Sequence, residues 1–302
     1  MKKAFLVLTL GLLATAGVQA QLLYRISGKD LKAPSYIVGT YHLAPATFVD
    51  SIPGLRAAFA ATEQVYGEVD MLETLKPENS SKMQETMMLP EGQTLSTLLD
   101  KNQMERLNAL LRELMGVDMN NEAVAQQLGQ LKPMVLEAQL TLLLYMKNIQ
   151  GLNPYDLIDT YFQREASKTG KAVKGFETSD FQMEILYGSP LKEQVDGLMC
   201  FVDHYQEAAE MAEFITAAYF SQDLEMLGDL NEEEQESACG SSDPENSEKL
   251  IYERNTRWVK AMPSIMAEKP TFFAVGAFHL CGERGVLHML EEEGYTIEGV
   301  RK

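Results

Sequence analysis

Apolar and polar residues alternate early in the chain. Leu22, Tyr24 and Ile26 fall on one side of a stretch that predicts a first strand. The turn residues Ser27-Gly28-Lys29-Asp30 and a loop ending at Pro34 close it. Ser35 to Val38 is β-rich and runs into Gly39, which predicts a second strand. Pro53 suits the first turn of a helix to about Thr62, and Glu63 to Val69 predicts a third strand. Beyond it, apolar residues recur at three- and four-residue spacing through 95–115, 121–129 and 133–149, which predicts amphipathic helices. Asn153-Pro154 supplies a cap and a first-turn proline for a further helix to about Lys168. Lys171 to Phe176 predicts a strand, Ser189-Pro190 opens a long helix to about Phe220, and Asp243-Pro244 opens another. Between these helices Asn231 to Ser242 is polar, acidic and bears Gly and Ser, so it predicts a mobile loop. Thr271 to Val275 predicts a strand, Glu283 to Glu293 a helix and Tyr295 to Val300 a closing strand.

The two ends share more than their order of elements. Val38 to Leu43 reads VGTYHL and Val275 to Leu280 reads VGAFHL, so two of the chain's four histidines sit in one repeated phrase. Two strand–GxxH–helix–strand units around one sheet, with a helical insertion over roughly 90–265 interrupted by a strand near 171–176, predict a mixed α/β fold. A strand ending in Gly turns sharply and admits close backbone approach. The His three residues on is then thrown to the carboxyl edge of the sheet, where open α/β folds gather ligands. On neighbouring strands, His42 and His279 would face each other across that edge.

Composition narrows the function classes. The chain has 302 residues and a formal net charge of −18, a surface that repels phosphate backbones and anionic membranes, so no nucleic-acid partner is expected. Lys2 and Lys3, an apolar run from Ala4 to Val18 and the small-x-small Val18-Gln19-Ala20 read as a signal peptide over 1–20 with cleavage after Ala20. The run is too short for a membrane span. The expectation is an exported chain, periplasmic or secreted, with a single domain over 21–302 and no integral span after cleavage. Export permits a disulfide between Cys200 and Cys239, with Cys281 left odd; buried free thiols are the alternative.

Two imidazoles need oxygen ligands to complete a metal site. Glu68 and Glu177 end the third strand and the strand near 171–176, and Asp70 shares the strand face of Glu68. Two His plus a carboxylate, with a place left for water, is the composition of a hydrolytic metal centre, and a second carboxylate could act as general base or orient a ligand. The plain alternative is a pair of hydrogen-bonded histidines capping loops. His288 beside Glu291 and Glu292 reads as solvent-facing, His204 among Phe201, Val202 and Tyr205 as a packing residue, and Arg254 as a cation able to stack on Trp258 one turn later.

These residues resemble the TraB/GumN family, which includes the Tiki-type metalloproteases and is similar in fold to the ChaN and erythromycin-esterase group. The resemblance runs from Leu23 to Gly299 and rests on Gly39/His42, Gly276/His279, Glu68 in YGEVD, Gly175-Phe176-Glu177-Thr178 with Gln182, and Glu253-Arg254-Asn255. It implies a mixed α/β architecture with a helical portion. It also implies hydrolysis, for the Tiki branch of peptide bonds, dependent on a divalent transition metal such as Mn, Co or Zn. His42, His279 and Glu68 would be the metal ligands, with Glu68, Glu177, Arg254 and Asn255 as catalytic candidates and a peptide or small molecule as substrate. The alternative is a non-catalytic peptide-binding or haem/iron-binding protein of the same fold.

Overall fold

A computed structural model describes residues 21–147, 149, 152–153, 156–240 and 247–301. The predicted leader over 1–20, the proline at 154 and the helix opening at 243–244 lie outside the described residues.

The mixed α/β architecture expected from the pattern is the one observed. The strands are β1 (Leu23–Ser27), β2 (Ser35–Thr40), β3 (Gln64–Val69), β4 (Ala172–Glu177), β5 (Thr271–Gly276) and β6 (Thr296–Gly299). Among the described residues they form one sheet in the order β4-β3-β5-β2-β1-β6. The four strands β4, β3, β5 and β2 run parallel, and β1 and β6 join antiparallel at one side. Parallel strands are buried on both faces and read as continuous apolar runs. Phe272 and Phe273 in β5, and Ile37 and Val38 in β2, show this, each pair sending side chains to opposite cores.

Helices α1 (Leu55–Ala60), α2 (Met71–Thr74), α3 (Pro77–Met87), α4 (Leu95–Leu98), α5 (Lys101–Met115), α6 (Glu122–Leu128) and α7 (Pro133–Lys147) precede α8 (Ile158–Lys168) and β4. Then come α9 (Ser179–Tyr187), α10 (Leu191–Phe220), α11 (Leu224–Glu236), α12 (Glu253–Glu268) and α13 (Val286–Glu292). One core lies under α8 and the second half of α10, a second under α12 and α13. A third belongs to the helical insertion, where Leu107, Leu111, Leu136, Leu140, Leu198 and Val202 meet.

Two expectations are corrected. The stretch Asn231 to Ser242 is not one loop: its first half completes α11, because Asp223 caps the helix and Leu227, Leu230 and Asn231 are buried on one face. The glutamates that made it look like a loop lie on the solvent side. His204 is not a packing residue. It stands 40% exposed, 3.1 Å from Glu207, where the helical angles of α10 break.

Cys200 and Cys239 form a disulfide with Cα atoms 5.7 Å apart, and Cys281 is a buried free thiol. Burial pushes the Cys281 thiol up to about 12, so it is an inert thiol rather than a nucleophile. The bridge ties the first half of α10 to the segment after α11 across 39 residues. Reduction is expected to cost about 2–4 kcal/mol, read as a lower urea midpoint with reductant in wild type but not in the paired Cys200→Ser, Cys239→Ser variant. Equal midpoints with and without reductant in wild type would remove the bridge from the account.

Candidate active site at the carboxyl edge of the sheet

The repeated phrases meet because β2 and β5 are neighbours. The turn after β5 packs so closely on β2 that a Cβ on Gly39 would sit 3.0 Å from Ala277 Cα, and a side chain there would force its neighbours to shift. The pairing is offset: Gly39 stands opposite Val275 and Thr40 opposite Gly276. The motifs also leave the sheet differently. The first turns directly into the segment 41–44, anchored by the Tyr219 hydroxyl donating to Gly39 O (3.2 Å) and by Tyr41 packed on Tyr219 and Tyr145. The second coils into a 3-10 turn, Ala277–Leu280, which draws His279 back against Trp258, ring centroids 4.3 Å apart. Solvent reaches 76% of the His42 side chain and 7% of that of His279.

The partners of His279 set its tautomer. Asn255 on α12 donates from Nδ2 to the Arg284 carbonyl (2.9 Å), which turns its Oδ1 to His279 Nδ1 at 2.7 Å. Nδ1 therefore carries the proton, and Nε2 accepts from Arg254 Nη1 at 3.2 Å. Burial above all, helped by the nearby cations, lowers the His279 pKa to about 4, so its ring is neutral at neutral pH. Arg254 is placed by a single turn of π-helix, Glu248–Tyr252, whose Leu250 carbonyl accepts from Nη1 at 2.9 Å. Glu248 pairs with Arg284 at 2.7 and 2.8 Å, tying this turn to the loop after the second motif.

Glu68 and Glu177 both receive Arg254. Nη2 bonds Glu68 Oε2 at 2.5 Å, and Nε bonds Glu177 at 3.0 and 3.1 Å. Glu177 is only 4% exposed and also accepts from Trp258 Nε1 (3.0 Å) and Gln182 Nε2 (3.3 Å). Its oxygens are thus filled by protein donors. Glu68 Oε1 accepts the Gly276 N–H at 2.9 Å and lies 3.8 Å from His279 Nε2. Burial works against its charge, yet His279, Arg254, His42 and that N–H hold its carboxyl down at about 2. Asp70 takes no part, since its Oδ1 caps α2 through Glu73 N at 3.0 Å. The guanidinium of Arg254 does lie over the Trp258 ring, 4.8 Å from its centroid.

His42 has a partner that no motif announced. Its Nδ1 lies 2.9 Å from Asp159 Oδ2, on α8, and Asp159 Oδ1 accepts from Thr40 Oγ1 at 2.5 Å. The Asp159 charge, foremost, and its hydrogen bond raise the His42 pKa to about 9, against desolvation and the Arg254 charge. Nε2 has no hydrogen-bond partner among the described residues, and His42 acts electrostatically on both Glu68 and Arg254.

The donor set suits a divalent cation in its chemistry. Both imidazoles have Nδ1 facing an oxygen acceptor, as metal-ligating histidines do, but only His42 has Nε2 open; that of His279 accepts from Arg254 and would exchange that bond for a cation. Among the described residues, however, no three His, Cys, Asp or Glu side chains are gathered closely enough to hold one ion. Arg254 stands between Glu68 and His279, a fixed positive charge in a space that a metal would share. A cavity of about 400 Å³ in the helical insertion, lined by Ser96, Leu99, Met104, Asn108 and Arg112, contains none of these residues.

The class of protein follows from the chain as a whole. Residues 22–299 match the model of the TraB/PrgY/gumN family, and the chain belongs to that family. Its curated relatives include metalloprotease TIKI2 of Danio rerio, 25% identical over 88% of this chain and 58% of that protein, and a metalloprotease TIKI homolog of Nematostella vectensis, 24% identical over 89% and 65%. Metalloprotease TIKI1 of Homo sapiens is 24% identical over 88% of this chain and 59% of its own length. The chain therefore spans about three fifths of the length of these relatives. No solved structure matches the chain. Among the described residues no helix is long and apolar enough to cross a membrane.

Proposed function

We propose that this chain is a metal-dependent hydrolase that cleaves peptide bonds at the carboxyl edge of its sheet. The observation that carries the reading is the pair of imidazoles from one repeated phrase, each with Nδ1 facing an oxygen, brought to the same sheet edge as the Glu68 carboxylate. The names of the TIKI relatives support it. His42, His279 and Glu68 would hold the cation. When bound, it supplies Lewis acidity that polarises a carbonyl oxygen and lowers the pKa of water.

The remaining roles belong to the chain's own side chains. Glu68, held ionised, is a ligand and a charge partner, but a weak base. Arg254 holds a fixed positive charge beside His279 and Glu68, where it would stabilise a developing oxyanion. Glu177, with its oxygens engaged by Arg254, Trp258 and Gln182, aims that guanidinium. Asn255 fixes the His279 tautomer. The reading includes export, in keeping with the disulfide and the leader-like first twenty residues.

The test is direct. The full chain is incubated with a peptide library and Mn²⁺, Co²⁺ or Zn²⁺, and new termini are sought by mass spectrometry. Cleavage that needs added metal and stops with chelator is the expected result. No cleavage under any metal, with a Soret band on adding haem, would replace this reading by a binding function.

A further inference from the structure

We infer that Asp159 is the positioning residue of the site: it fixes the tautomer and orientation of His42, and α8 aligns the first motif with the strand that carries Glu68. The assignment rests on the reading of His42 as a ligand.

Three contacts carry it. Asp159 gives one oxygen to Thr40 and the other to His42, so both acceptors go to the single phrase Gly39-Thr40-Tyr41-His42. One turn on, Gln163 is 3% exposed and bridges the end of β3, donating to Val69 O (2.8 Å) and accepting from Met71 N (2.8 Å). Its amide fills the space above Gly67, where a Cβ would come within 2.3 Å of Gln163 Nε2. The start of α8 is itself sewn to the chain just after His42: Ile158 N donates to Ala44 O and Ala46 N to Asp156 O, each at 2.9 Å. Residues four apart share a helix face. One rigid surface of α8 therefore grips the two strand ends that present His42 and Glu68.

Stability alone does not account for the second oxygen. A pair whose imidazole is largely exposed adds little to a fold. What the bond does set, once the ring is neutral, is which nitrogen carries the proton. A neutral histidine in water favours the Nε2–H form. An acceptor at Nδ1 reverses that and leaves the Nε2 lone pair for a ligand.

The experiment reads the tautomer without metal. Ring ¹⁵N spectra of the metal-free full chain are recorded at a pH high enough for neutral imidazole, with His42→Ala assigning the signal. Wild type should show Nδ1 protonated, and Asp159→Ala should move His42 towards the Nε2-protonated form. Asp159→Asn, which keeps an acceptor, should retain the wild-type signature. Gln163→Ala, a loss of buried hydrogen bonds, should lower the melting temperature without moving the tautomer. In a dye-competition titration with Mn²⁺ or Co²⁺, Asp159→Ala should bind roughly 10–100-fold more weakly. An unchanged His42 tautomer in Asp159→Ala, or unchanged affinity in that variant when wild type binds, overturns the inference. If wild type binds no metal, the ligand reading of His42 fails, and the tautomer measurement still decides the role of Asp159.

Discussion

Arg254→Ala is expected to destabilise the protein by about 3–5 kcal/mol, because it strands two carboxylates in the interior. Glu68 and Glu177 are 16% and 4% exposed, and Arg254 is the cation hydrogen-bonded to both. The effect carries a pH signature. The Glu68 pKa is depressed from 4.5 to about 2 in the folded protein. The stability it contributes is therefore present above about 4.5 and is lost as the pH falls towards 2. In Arg254→Met, which keeps much of the bulk and loses the charge, the stranded Glu68 carboxyl no longer needs a countercharge once protonated. The gap between wild type and variant should therefore be widest near neutral pH and narrow in acid. Urea unfolding near pH 7 and near pH 4 measures it, and a gap of equal size at both would contradict the account.

His42→Ala and His279→Ala should part company on stability while agreeing on activity. Each removes one donor of the proposed metal set, so metal uptake and peptide cleavage should fall on the order of 10²-fold or more. His42 is open to solvent, and its removal should leave the unfolding free energy within about 1 kcal/mol of wild type. His279 is packed on Trp258 and joins Arg254 Nη1 to Asn255 Oδ1. Its removal leaves buried polar partners unmatched and a void, at a cost of about 2–4 kcal/mol. Denaturant unfolding beside a metal titration separates the two. Full activity in either variant would reject the ligand assignment.

Much of this site was legible in the sequence because its parts repeat or end strands. The doubled phrase foretold that β2 and β5 would be neighbours, and Glu68 and Glu177 were readable as strand-end carboxylates. Asp159 was not readable. It is one aspartate in the first turn of an ordinary helix, 117 residues from His42, and only tertiary packing brings them together. The stretch between β3 and α4 escaped for a different reason: α3 buries no residue, so it carries no apolar stripe to betray it. The likeness of the two halves also had a limit that no periodicity reveals. The strand after the first motif, β3, lies parallel beside β5, whereas the strand after the second, β6, crosses to the far side and runs antiparallel to β1.

The one-residue stagger between the paired motifs, and the 3-10 turn that only the second one makes, give the two histidines unlike surroundings. His279 is walled in by Trp258, Arg254 and Asn255, while His42 is open to solvent. Solvent therefore reaches the first imidazole freely and the second hardly at all. Nearly identical hexapeptides thus end in unlike places, one imidazole at the surface and the other in the interior, so neither could take the other's part.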